Sequence, residues 1–198
     1  MIFIIFLFIS FNLFSLQLEI NLKNGDFPFD LLREEGYWVK AFKISDKGWL
    51  VEIWQDSNYF PAGEVYQRVL KKVREVKNFI EYNPYHSSID FEEILTLRKG
   101  NCITFSSFLE TLLKREGFLA QQVSGILFSK EKNNPFYISK INGTAHRWVK
   151  VFFPEYGWLS FDPLSETGRI TSFHLPLKSP ALLNSLKEIE IKVLQWDS

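Results

Sequence analysis

The chain has 198 residues, enough for one domain to bury a sizeable core. Apolar residues make up 46% and the charges balance at 23 Lys plus Arg against 23 Asp plus Glu, which argues against a disordered chain and against a nucleic-acid partner. A single cysteine excludes an internal disulfide and any zinc site built on several thiolates.

Residues 1 to 16 are almost unbroken apolar sequence, Ile2 to Ile9 and then Phe11, Leu13, Phe14 and Leu16. The run is short for a membrane span and has the character of a secretory signal core, although no Lys or Arg precedes it. It reads as an export signal, which would place the protein in a periplasmic or extracellular compartment. An uncleaved membrane anchor and a buried N-terminal element are the alternatives.

Residues 17 to 60 read as a β-rich lead-in. Leu18 to Leu22 alternates, and Tyr37–Ile44 and Trp49–Trp54 flank the turn sequence Ser45-Asp46-Lys47-Gly48. Trp38, Trp49 and Trp54 read as packing residues. Residues 61 to 198 read as one further domain. A helix begins at Pro61, with Val65, Val69, Leu70, Val73, Val76 and Ile80 on one face, and ends at Asn83-Pro84. A second, short helix is expected over 89–97, capped by Ser88 or Asp90.

Gly100 then breaks the chain before Cys102. Phe105, Phe108, Leu109, Leu112 and Leu113 recur at helical spacing up to Gly117, so Cys102 falls in the first turn of a helix. The positive end of the helix dipole favours thiolate, the form that acts as nucleophile. Beyond Gly117 the period changes to that of strands, over 120–128, 144–153 and 158–161, with a turn at Pro154 to Gly157 and a last strand over 189–194. On the second of these, His146, Trp148, Lys150 and Phe152 share one face, and Arg147, Val149, Val151 and Phe153 the other. Helices followed by an antiparallel sheet define an α+β fold.

A reactive thiol needs a base, and the base needs a group that fixes its tautomer. Of three histidines, His86 lies in a loop between helices and His174 in a polar tail. His146 lies on a strong strand, and the returning arm of the same hairpin delivers Asp162. Cys102, His146 and Asp162 are therefore the candidate catalytic residues. Cys, His and Asp alone are a poor match to a catalytic zinc set, so no metal or cofactor is expected.

Several ordered motifs resemble the transglutaminase-like superfamily. They are Gly100-Asn101-Cys102 with its apolar helix, the stretch from Gly117 to Gly125, His146 to Val151, and Tyr156 to Pro163. The resemblance covers about residues 62 to 165. It implies a papain-like α+β core with helices packed on an antiparallel sheet, Cys102 as nucleophile, His146 as base and Asp162 as orienting carboxylate. Gln121, Arg147 and Lys150 depart from the family's usual residues and are not triad positions. The papain signature around the cysteine is absent. Arylamine acetyltransferases usually carry an acid where Thr104 stands. The implied function is thiol-dependent acyl transfer on a peptide or protein substrate, ending in hydrolysis of an amide or isopeptide bond. An amine-accepting transglutaminase and a non-catalytic peptide-binding module are the competing readings.

Overall fold

The computed structural model describes residues 13–23, 26–56, 59 and 61–196. In chain order, β1 (Leu13–Leu22), β2 (Arg33–Glu34), β3 (Tyr37–Lys43) and β4 (Gly48–Asp56) precede α1 (Glu64–Phe79), β5 (Glu81–Tyr82), α2 (Phe91–Leu97), β6 (Lys99–Gly100) and α3 (Cys102–Arg115). Then come β7 (Ala120–Phe128), β8 (Gly143–Phe153), β9 (Gly157–Phe161), β10 (His174–Pro176) and β11 (Ile189–Trp196). One antiparallel sheet runs β11-β1-β4-β3-β2, a second runs β10-β7-β8-β9, and β5 and β6 form a short parallel pair.

The second sheet is buried on both faces. On one side of β8, Trp148 packs with Ile126 and Leu175 against Leu16, Leu18, Ile20, Val51 and Ile53 of the first sheet. On the other, Val149 and Val151 pack with Phe161 against Val69 and Val73 of α1 and Phe105 and Leu109 of α3. The alternation read from the sequence of β8 is thus the division between two cores. The order is sheet, sheet, helices, an α+β architecture with helices on one face of an antiparallel sheet.

The first sheet is more than a lead-in. β11 pairs with β1 along Leu16–Leu22, so the C-terminal strand completes a sheet begun near the N-terminus. A boundary at residue 60 therefore divides the sequence without dividing the core, because pairing partners in a sheet need not be close along the chain. The sheet also braces the loop that leads to β10. Ser172 N–H donates to Gln55 Oε1 at 3.0 Å, and the Tyr37 hydroxyl donates to the His174 carbonyl.

The apolar N-terminal run lies mostly outside the described residues. Its last four, Leu13 to Leu16, belong to β1, where Leu16 is fully buried. A segment cleaved at residue 16 would remove four paired residues of β1. No helix among the described residues is long and apolar enough to cross a membrane. The expected helix at Pro61 begins at Glu64, and the one expected over 89–97 begins at Phe91. Of its two candidate caps, Asp90 is the one used, its Oδ1 accepting from Glu93 N–H at 2.8 Å.

One buried acid ties the two sheets together. Glu34 on β2 accepts from Ser160 N–H at 2.7 Å and from Ser160 Oγ at 2.6 Å. Burial pushes its carboxyl up to about 7 in spite of those two donors. Between 4.5 and 7 the folded state then binds more protons than the unfolded chain, so stability falls as pH rises through that window. The loss attached to this group is on the order of 2–3 kcal/mol. Glu34→Gln is expected to remove it. The melting temperature of the variant relative to wild type should rise by roughly 5–10 °C between pH 5 and pH 8. Parallel melting curves across that range would rule the effect out.

Candidate active site

Cys102 is set in place by the elements just before it. The β5–β6 pair aligns Tyr82 with Gly100 and carries the chain up to the helix start. A Cβ on Gly100 would lie 2.3 Å from the Thr104 side chain, so the close approach of strand to helix requires glycine. Asn101 caps α3, its Oδ1 accepting from Ile103 N–H at 3.0 Å, and its own N–H is held by the His86 carbonyl at 2.9 Å. Cys102 is the first residue of the helix, where the backbone N–H has no intrahelical partner and the dipole is positive.

The strand register puts His146 and Asp162 together diagonally. Val149 pairs with Phe161, so Asp162 lies opposite Trp148 and one pleat from His146, on the same face. His146 Nε2 and Asp162 Oδ2 are 2.9 Å apart, and both residues are buried. Because β9 ends at Phe161, the flank of β8 from Thr144 to Trp148 is not paired on that side. The thiol reaches His146 at this open flank. Cys102 lines the same cleft as His146, and the His146 ring and the Arg147 backbone N–H lie near enough to act on its thiol. With Nε2 engaged by Asp162, Nδ1 is the ring nitrogen left free for the thiol.

The charges in this cluster are set by mutual support. Burial alone would keep His146 neutral, but the Asp162 carboxylate and the Cys102 thiol lift its pKa to about 10. Burial pushes the Cys102 thiol up, and His146 together with the Arg147 N–H brings it below the ordinary thiol value. Asp162 is buried, yet His146 and His174 hold its carboxyl well below the usual range.

His174 is the residue the sequence reading passed over. It lies on β10, is buried, and its Nε2 is 3.1 Å from Asp162 Oδ2. Burial holds its pKa below the ordinary imidazole value against the pull of Asp162. His146, Asp162 and His174 bring three ligand-type atoms within 4.8 Å. They do not present three lone pairs to a metal. Thr171 N–H donates to His174 Nδ1 at 3.0 Å, so in the neutral ring the proton sits on Nε2. The set fits a hydrogen-bonded chain better than a metal centre. His86, by contrast, stands apart from this cluster, 3.9 Å from Glu93.

Cys102 and His146 lie in the wall of a cleft of about 950 Å³. Apolar side chains dominate it, among them Ile80, Phe105, Leu127 and Ile138. Phe136, also lining it, meets Tyr85 with ring centroids 5.8 Å apart, which joins the β7–β8 loop to the loop before α2. Tyr82 lines the same cleft and is near enough to Cys102 for a thiolate there to raise its phenol pKa, although burial is the larger cause.

Helices packed on one face of an antiparallel sheet, with a cysteine at a helix start, a histidine on a strand and an aspartate just past the end of the next strand, define a papain-like α+β fold. The chain belongs to the transglutaminase-like superfamily, whose sequence profile matches residues 47–163. Over 71 residues it is 38% identical to the uncharacterized protein YebA of Bacillus subtilis (strain 168), a stretch that takes in 33% of this chain and 10% of that protein. The match therefore spans about a tenth of the relative's length. Among solved structures, a candidate cysteine protease from Cytophaga hutchinsonii superposes with a TM-score of 0.52 at 12% identity, over 94% of this chain and 90% of that one. At that identity the likeness speaks to the fold alone. The periplasmic domain of TgpA from Pseudomonas aeruginosa, bound to ethylmercury, gives a TM-score of 0.36 at 14% identity, over 76% and 90% of the two chains.

Proposed function

We propose that this protein is a thiol-dependent acyl-transfer enzyme that hydrolyses an amide bond in a peptide or protein. One observation carries the reading: a helix-start thiol shares the wall of an apolar cleft with His146, which is itself bonded to Asp162. The Cys102 thiolate attacks the carbonyl carbon, and the carbonyl π pair moves onto oxygen. The Cys102 backbone N–H, free of the helical ladder, is placed to meet that oxyanion. As the tetrahedral intermediate collapses, the C–N bond breaks, and the imidazolium gives its proton to the departing amine. Water, deprotonated by the neutral His146, then attacks the thioester, and the thiolate leaves. An amine in place of water would give a transglutaminase by the same steps.

The apolar lining favours substrates with large uncharged side chains next to the reacting carbonyl. The apolar run ahead of β1, Ile2 to Ile9 and Phe11, supports action outside the cytoplasm or at a membrane surface.

The test uses the single cysteine as its own reporter. Alkylation by iodoacetamide, followed by mass across pH 4 to 10, should show Cys102 reacting well below the ordinary thiol range of about 8.5. His146→Ala should return the profile to that range. A wild-type thiol that reacts only above pH 8, or not at all in the folded protein, would overturn the enzyme reading in favour of a peptide-binding module.

A further inference from the structure

We propose that His174 is a positioning residue for this site, a second histidine that holds Asp162 in line with His146. The proposal deepens the functional reading above and rests on it. Its basis is geometric. Asp162 Oδ2 is shared between two imidazoles, His146 at 2.9 Å and His174 at 3.1 Å. Oδ1 accepts from Leu164 N–H at 2.9 Å. A carboxylate held by donors on both oxygens cannot swing away from the ring it serves.

His174 is itself fixed from four sides. Thr171 N–H occupies its Nδ1, which commits Nε2 to donation. Trp148 packs against the ring edge-on, with centroids 5.2 Å apart. The Tyr37 hydroxyl donates to its backbone carbonyl, and Leu175 pairs with Ile126 of β7. A buried neutral donor suits the task. It stabilises the Asp162 carboxylate without adding a second cation, which would compete with the His146 imidazolium for the same charge. The arrangement explains why a histidine stands on a three-residue strand in an otherwise apolar place.

The titratable groups around the thiol are His146 on β8, Asp162, His174 on β10 and Tyr82 on β5, with Lys77 of α1 also lining the cleft. Around His174 they are Asp162, His146 and Tyr37 of β3, behind which lies Glu34 of β2. A change at His174 acts on the thiol through Asp162 and His146.

The experiment compares wild type, His174→Leu and His174→Gln in the full chain, by iodoacetamide alkylation across pH. Leucine keeps bulk without a donor, and the glutamine amide can replace the Nε2 proton. His174→Leu should raise the apparent thiol pKa by about one unit and slow alkylation at pH 6 by up to about tenfold. His174→Gln should restore most of the wild-type profile. A folded His174→Leu with an unchanged profile would overturn the proposal, as would a His174→Gln variant shifted as far as leucine. The wild-type profile separates this failure from that of the parent reading, since an unactivated thiol in wild type sinks the latter. A measurement free of folding effects is the imidazole ¹⁵N spectrum of the wild-type protein. His174 should hold one neutral tautomer, protonated on Nε2, from pH 7 to pH 8. Protonation on Nδ1, or titration within that range, would also overturn the proposal.

Discussion

Cys102→Ala should reduce turnover by at least about 10⁴-fold, and His146→Ala by a comparable factor, because members of such a unit fail together. The alanine variant keeps its fold. Cys102 is half-buried at the first position of α3, and the helix is capped by Asn101 and anchored by apolar residues further along. Loss of the sulfur removes the sole thiol in the chain. The Ser106 hydroxyl does not stand in for it, since its Oγ is bonded to the Cys102 carbonyl at 2.7 Å. Turnover of a peptide-amide library by purified wild type and variant, with circular dichroism on both, checks the expectation. Activity in a folded Cys102→Ala within tenfold of wild type would remove the covalent mechanism.

The largest expected loss of stability comes from Gly125→Ala. Gly125 lies on β7 opposite His146 on one side and Pro176 of β10 on the other. A Cβ there would sit 2.3 Å from the Leu175 carbonyl oxygen and 2.5 Å from Trp148 Cη2. The first is backbone, held in the sheet, and the second belongs to a fully buried ring. Neither can yield without moving β10 or the inter-sheet core. The cost should be about 3 kcal/mol or more, which lowers the melting temperature by roughly 6–12 °C. A variant melting within 2 °C of wild type would show that β10 shifts freely. It would also weaken the case that His174 is rigidly held.

Much of this arrangement can be read from the chain alone. The helix-start cysteine, the two faces of β8 and the hairpin that brings Asp162 back toward His146 all follow from local periodicity and a strong turn. Residues that long-range pairing places are not legible in that way. β10 has three residues in a loop rich in Ser, Thr and Pro, too few for any alternation to show. His174 therefore reads as a polar tail, although it is almost fully buried. The last strand is visible as a strand, but nothing in Ile189–Trp196 tells that its neighbour is β1 rather than β9. Even the hairpin was legible only in part. The pairing of Val149 with Phe161 makes the His146–Asp162 contact diagonal, and it leaves the flank of β8 open to the thiol.

The pairing of β1 with β11 has a consequence for how the protein is made. Ile20 waits for Ile191, about 170 residues later, and at typical synthesis rates of 5–20 residues per second that delay is roughly 10–30 s. During that interval one edge of β1 has no partner, and its own Leu16, Leu18 and Ile20 are residues the finished fold buries completely. Contacts so distant in sequence are also the slowest to form. The helices and the β7–β9 meander can assemble as soon as they emerge, whereas the first sheet closes only once β11 has been made. A nascent chain halted before Ile189 is therefore a substrate for chaperones and an aggregation hazard, with an exposed strand edge in place of β11.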